Sequence, residues 1–170
     1  MMLEPVESLP PFRSGDVGIR IATEAWEVVA YRRLRRRVFC DEQRLFLGDD
    51  HDAIDARAMV LVAAGRIAGV LDDVIGGVRL WEDSPGSWWG GRLVVHAAHR
   101  GTAGIASRLV RLAVATACAR GARSFRATVQ TSNVALFERL GWSIVEHVAV
   151  RGAPHALMAA ALARSGGAAS

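Results

Sequence analysis

The stretch "HAAHRGTAGIASRLV", residues 96–110, gathers a cation, a hydroxyl and two glycines among small residues just ahead of an apolar helical pattern. A helix start leaves its first backbone N–H groups without partners and carries the positive end of the macrodipole, so a small-residue turn there can aim several donors at one anion. Gly101 and Gly104 give access to left-handed dihedrals and leave space for a ligand, Thr102 offers a hydroxyl, Arg100 a full charge, Ala103 and Ala106 are small, and Ile105 begins the apolar face of the helix. No GK[ST] follows, which excludes a Walker A loop, and the GxGxxG of a dinucleotide site is absent. The competing reading is a tight strand-to-helix connection with no ligand.

Groups able to carry protons are scattered. Glu82 and Asp83 close one strand, His96 and His99 flank the end of the next, Glu146 lies on a late strand and His155 in the final hairpin. Asp49, Asp50, Asp52 and Asp55 surround His51 in an acidic loop, which reads first as a solvated loop and, more sharply, as a rim attracting a cationic amine. It lacks EF-hand spacing, and Cys40 and Cys118 form no CxxC, so no metal is expected and both thiols read as small apolar residues. Trp81, Trp88 and Trp89 cluster around a Pro-Gly turn, with hairpin packing favoured over an aromatic wall for a ligand.

These residues need a scaffold, and 170 residues with 51% hydrophobic content suit one domain with one core. We expect an irregular leader over 1–16, a folded domain over 17–162 and a flexible tail over 163–170. No apolar run is long enough for a membrane span and the first residues lack a signal-peptide pattern, so a cytoplasmic protein without a membrane partner is expected. The net charge of +4 and the arginines of "YRRLRRRVF" invite a nucleic-acid reading. Helical spacing of Tyr31, Leu34 and Val38 leaves Arg32, Arg33, Arg36 and Arg37 on the other faces, and a solvated face is favoured because no aromatic platform accompanies them.

Alternation and periodicity predict a strand at "VGIRIA" and a helix from Glu24 to about Arg44 capped by Thr23. A three-strand meander follows, with turns at Ala64-Gly65 and Ser84-Pro85-Gly86. Then come a helix from Gly104 to Ala119 ended by Gly121, a strand "SFRATVQ", a short helix "SNVALFERL" closed by Gly141, and a last hairpin turning at Arg151 to Pro154. The strands on either side of the Gly104 helix are joined by a crossover and should be parallel neighbours in an otherwise antiparallel sheet.

The loop "RGTAGIA", the later "SNVALFERLGW" and the order of elements together resemble the GNAT superfamily of acyl-CoA N-acyltransferases over almost the entire domain. The front segment "LRRRVFCDEQ" is similar to GNAT subfamilies with an R-x-x-V-F-x-x-E-Q helix and, more distantly, to acyl-homoserine lactone synthases. The resemblance implies an α+β, three-layer fold: a mixed central sheet of six or seven strands flanked by helices, with parallel strands splayed at its centre. It further implies acetyl-CoA or another acyl-CoA as co-substrate and a small-molecule or protein amine as acceptor, with no nucleic acid; a homodimer fits it. Leu93, Val94 and Val95 would hold pantetheine, and Arg100 to Ala106 the pyrophosphate. Asn133, whose alternative is a helix cap, and Phe137 would touch the cofactor from the next helix. Two departures are visible: the loop is one residue longer than the common form, and Phe137 stands where many members carry a proton-donating Tyr. Glu82 and His155 rank first among proton carriers because, in the resembling fold, their regions border the acceptor pocket. An acyl-homoserine lactone synthase-like enzyme and a non-catalytic acyl-CoA-binding module are the alternatives.

Overall fold

A computed structural model describes residues 17–67, 70–101 and 104–163; the expected leader and, apart from Ala163, the tail lie outside these residues. The chain forms β1 (Val17–Ile21), α1 (Ala25–Arg36), β2 (Met59–Ile67), β3 (Val70–Ser84) and β4 (Ser87–Val95). It continues with α2 (Ile105–Ala119), β5 (Ser124–Gln130), α3 (Val134–Arg139), β6 (Trp142–Val150) and β7 (Ala153–Ala160). The seven strands make one sheet in the order β1-β2-β3-β4-β5-β7-β6. Only β4 and β5 are parallel, joined by the α2 crossover as the sequence predicts.

Period-2 alternation divides the apolar side chains between two cores. Leu61 and Ala63 face α2 with Leu109, Val110, Ala113 and Phe125, whereas Val62 faces α1 with Tyr31, Leu34, Val38 and Phe39. Three layers result: α1, sheet, then α2 with α3. Arg108 pins α2 to β1 by donating to the Val17 carbonyl at 3.1 Å.

Three local expectations change. The first helix is capped at Glu24, not Thr23: the buried carboxylate of Glu27 accepts from the amides of Thr23 (2.9 Å) and Glu24 (3.0 Å) and pairs with Arg20. Beyond Arg36 the helix widens into a π-helical segment, Arg37–Glu42, which buries three successive residues, Val38, Phe39 and Cys40. Ala64-Gly65 is not a turn, because β2 runs on to Ile67. Gly65 pairs with Val17 on one side and Asp73 on the other, and bulges on both sides of Ala64-Gly65 absorb the irregularity. A ladder on both edges outweighs the local turn propensity of the pair. The final turn is as expected, with Arg151 and Gly152 both at positive φ (47° and 78°), the geometry of a two-residue hairpin loop.

Candidate functional site

The site begins where the parallel pair comes apart. β4 and β5 are in register only from Ser87–Ser124 to Gly90–Ala127. Immediately beyond, Arg92 takes φ 55°, and the pairing with β3 slips from Arg79–Gly91 to Gly77–Val94. This bulge is held from below: the fully buried Tyr31 donates its hydroxyl to the Arg92 carbonyl at 2.7 Å. Its ring lies so close to β3 that a Cβ on Gly77 would sit 2.5 Å from a ring carbon. Burial pushes the Tyr31 phenol well above its usual range, so it remains a donor.

Past the bulge, the His96 amide donates to the Ile75 carbonyl at 2.7 Å, which by alternation turns the backbone of Val95 toward the gap. The Val95 carbonyl accepts from Arg100 Nε at 3.0 Å, leaving its N–H directed into the opening. A groove of about 440 Å³ follows this edge, bordered by Leu93, Val95, Gly101, Gly104, Ala106 and Ser132. Gly101 and Gly104 have φ of 79° and 56°, a region that costs other L-residues roughly 1–2 kcal/mol. The first intrahelical bond runs from Arg108 N to Gly104 O at 2.9 Å, so the amides of Ile105, Ala106 and Ser107 have no intrahelical acceptor. Thr102 and Ala103 lie outside the described residues. Arg100 borders the groove while paired with Glu42 at 2.7 Å.

A second cavity, about 120 Å³, passes through the sheet between β4 and β5. On the α1 side it meets Phe46, Arg92, Thr128, Gln130 and His155; on the α2 side it meets Val110, Ala113, Phe125, Phe137 and Trp142. Leu93, Gln130 and Asn133 border both cavities. Gln130 Nε2 donates to Gln43 Oε1 at 2.8 Å, tying the end of β5 to the residue that follows the π-helical segment. Asn133 makes no capping hydrogen bond at the start of α3, which leaves its amide for the junction of the cavities. Phe137 is buried edge-on to Trp142, with ring centroids 5.1 Å apart. His155 is buried, and its Nδ1 lies 2.9 Å from the Ala153 carbonyl. A carbonyl only accepts, so Nδ1 is the donor in this contact and Nε2 is left free of it.

The structure thus brings together Leu93, Val95, Arg100, Gly101, Gly104, Ile105, Ala106, Asn133, Phe137 and His155, with Val94 on the same strand. It does not bring Glu82 to them. Glu82 is exposed at the opposite end of the sheet, across from Trp88, and its carboxylate accepts from the Gly86 amide at 2.7 Å. Glu146 is exposed on β6, an edge strand. Trp88 is core, and Trp81 lies 5.4 Å beneath the Arg79 guanidinium.

The acidic loop is neither a solvated loop nor a free rim. Arg35, the one arginine of "RRLRRR" that turns inward, binds Asp55 through two nitrogens (2.5 and 3.1 Å) and Asp50 through Nε (2.8 Å). Arg79 takes both Asp52 oxygens at 2.7 Å and also pairs with Asp55; Arg92 pairs with Asp50 at 2.9 Å and Asp52 at 3.3 Å. Burial pushes the Asp55 carboxyl up, but hydrogen bonds from Arg35, the Asp52 amide and Arg79 outweigh it and hold the group well below the usual carboxylate range. Asp52 is lowered by its Arg79 hydrogen bonds, against burial. Asp49 stays exposed. The network anchors Arg92, and so the bulge, to the loop before β2.

Sequence reasoning missed Tyr31, Phe46, Arg92, Gln130 and Trp142 as parts of this site. One signal was available: paired glycines inside strands, Gly76-Gly77 and Gly90-Gly91, mark a close approach by another group. Tyr31 fills the first, and Phe125 lies 3.1 Å from a Cβ built on Gly90.

Known proteins converge on the same description. Among solved structures, Escherichia coli ElaA superposes with TM-score 0.72 at 19% identity, over 85% of this chain and 99% of its own. An acyl-CoA N-acyltransferase from Pseudomonas aeruginosa gives 0.69 at 23%, over 86% and 99%. The acyl-homoserine lactone synthase LasI gives 0.65 at 13%, over 84% and 88%. At these identities the likeness is one of fold. No curated protein matches the sequence. The family model for the acetyltransferase (GNAT) domain matches residues 56–144, just over half of the chain, from just ahead of β2 through the glycine turn and α3 into β6. With that span and the parted β4–β5 pair in agreement, the chain belongs to the GNAT acetyltransferase family.

Proposed function

We propose that this protein is an acyl-CoA-dependent N-acyltransferase acting on a primary amine of a small molecule or protein. The observation that carries the reading is the continuity of a donor-lined groove at the start of α2 with a cavity that His155 borders. The residues present fit coenzyme A. The amides of Ile105, Ala106 and Ser107, which have no acceptor within α2, with the positive end of the helix behind them, suit a pyrophosphate. The open N–H of Val95 on the parted edge of β4 suits the amide chain of pantetheine. When bound, acyl-CoA supplies an acyl group activated as a thioester, whose transfer to an amine forms a C–N bond and breaks a C–S bond.

The chain's own residues then have separable tasks. The α2 amides and β4 edge hold and orient, converting a bimolecular encounter into a positioned one. Leu93, Gln130 and Asn133 stand where the groove joins the cavity and direct what enters it. His155, on the α1 side of the gap, accepts the amine's proton at Nε2, with the Ala153 carbonyl fixing the tautomer. Phe137 has no proton to give, so it acts as a wall rather than an acid.

Thiol release from acetyl-CoA across an amine panel tests the reaction. Turnover should appear for at least one amine, and His155→Gln should lower kcat by about 10²-fold or more, within the range general bases contribute, while leaving CoA binding intact. Tight CoA binding without turnover on any amine would instead identify a non-catalytic acyl-CoA-binding module. Unchanged kcat in the variant would remove His155 from the chemistry.

A further inference from the structure

We propose that the acceptor is a small amino acid, an amine and a carboxylate in one molecule, and that Arg92 and Arg151 receive its carboxylate beside Phe46; this rests on the acyltransferase reading above. Two guanidiniums converge on one ring. That of Arg92, from the β4 bulge, lies 4.5 Å from the Phe46 ring centroid, and that of Arg151, from the turn between β6 and β7, lies 4.3 Å from it. The ring is held in place: Phe46 is buried, and its amide and that of Leu45 both donate to the Phe39 carbonyl, at 3.3 and 2.8 Å. An aromatic face attracts a cation but is no substitute for an oxygen acceptor, so the N–H donors remain for another partner. The turn does not explain the arginine either. At φ 47° its first position favours Asn or Gly.

The charges around these groups leave a surplus. Arg35, Arg79 and Arg92 face Asp50, Asp52 and Asp55, three cations against three anions. Among the described residues Arg151 has no ion pair, and no acidic side chain lines the groove or the cavity. One positive charge is left over, the amount that a carboxylate cancels. Arg92 also shares both of its acids, Asp50 with Arg35 and Asp52 with Arg79. Its hydrogen bonds leave from Nη2 alone, and its buried Nε has no hydrogen-bond partner although Asp50 lies 2.9 Å away. Burial, then the charge of Arg79, pushes the Arg92 guanidinium down, whereas Arg35 and Arg79 are raised by their carboxylate hydrogen bonds against the same burial. A further anion at Arg92 is therefore favoured.

Placement assigns that anion to the acceptor. Arg92 borders the cavity and not the groove, which has its own cation in Arg100. Val150, next to Arg151, lines the cavity with Arg92 and His155, and Thr131 ties this hairpin to the end of β5 by donating to the Pro154 carbonyl at 3.0 Å. An amine at His155 and a carboxylate at Arg92 then share one end of one cavity.

The test compares acceptors that differ only in the carboxylate: glycine, alanine, leucine, lysine and β-alanine, each against its primary amide, with acetyl-CoA. Without a carboxylate nearby the amide's amine is less basic, so more of it is unprotonated and intrinsic reactivity favours the amide. A preference for the acid thus reports recognition. For at least one pair kcat/KM should be tenfold or more higher for the acid, the scale of a charged hydrogen bond, and the advantage should shrink as salt is raised. Arg151→Asn puts a residue that suits the turn in place of the guanidinium, so it should fold, bind CoA as wild type does and bring acid and amide within about twofold. Amides used as well as acids, or a preference that survives Arg151→Asn, overturn the proposal and leave the acyltransferase reading standing. The same pairs titrated into CoA-loaded protein separate the two failures. Acids bound in preference to amides without turnover keep the carboxylate site and remove the chemistry, whereas no preference in binding and no turnover remove both.

Discussion

Asp55 shows how a few charged residues position a site they do not touch. Its side chain is 3% exposed and ion-paired to Arg35 and Arg79, themselves buried. Removing one member of such a set leaves the others charged and unpaired, which costs on the order of 3–5 kcal/mol. We expect Asp55→Asn to be destabilised by about 3 kcal/mol at pH 7 in chemical denaturation. The pH dependence follows from the direction of the shift. The folded pKa is depressed, so the contribution is complete above the unfolded value near 3.9 and is lost as pH falls through it toward the lower folded value. The wild-type melting temperature should drop steeply below about pH 4, and the variant's curve should be lower and flatter. Parallel curves would mean that Asp55 does not supply the acid sensitivity. Arg35 illustrates what a sequence conceals at this scale: among five crowded arginines, helical spacing separates faces but cannot say which guanidinium finds buried carboxylates far along the chain.

At the scale of elements, the β4 bulge is the feature on which the gap depends, and Tyr31 of α1 sets it from underneath. Gly77→Ala would drive a methyl into the Tyr31 ring, since the built Cβ meets ring carbons at 2.5 and 2.7 Å and the Leu61 carbonyl at 3.0 Å. Overpacking of this kind costs about 1–3 kcal/mol. The expected phenotype is a lowered melting temperature together with reduced turnover, because the ring can relieve the clash only by loosening its bond to the Arg92 carbonyl. A variant as stable and active as wild type would show that the bulge does not need Tyr31. Much of this architecture was legible in advance. The alternating strands, the α2 crossover and the glycines after helices fixed the element order and the parallel pair, because those signals are local. The bulge was not, since it arises from a contact between residues 31 and 92. The strand through Ala64-Gly65 was misread for a related reason: two neighbouring ladders override a local turn signal. From composition the glycine loop left an anion site and a ligand-free connection both open, and nothing local singled out a proton carrier. Glu82 and His155 looked equivalent until the sheet order put one at the closed end of β4 and the other at the open end.

Across the described residues, the seven-stranded sheet works as a partition that parts between β4 and β5. The α1 layer brings Phe46 and Gln43 to one side, where they meet Arg92 of β4 and Gln130 of β5; the α2 layer closes the other with apolar side chains; the groove runs past the junction. Charge on the α1 side also differs both from the solvated loop read first in the sequence and from its sharper alternative, an acidic rim. Asp50, Asp52 and Asp55 are occupied by arginines, while Arg92 and Arg151 stand 4.5 and 4.3 Å from the Phe46 ring. The account of the groove rests on the backbone donors of α2, and one substitution isolates them. Ala106→Glu places a carboxylate in the first turn, where it complements the helix dipole and should not lower stability, yet it repels a bound pyrophosphate. The decisive measurement is a calorimetric titration of the folded protein with CoA, wild type beside Ala106→Glu. The account predicts saturable one-to-one binding by wild type and at least tenfold weaker binding by the variant at equal thermal stability. No heat with wild type at millimolar CoA, or equal affinity in the two proteins, would contradict it.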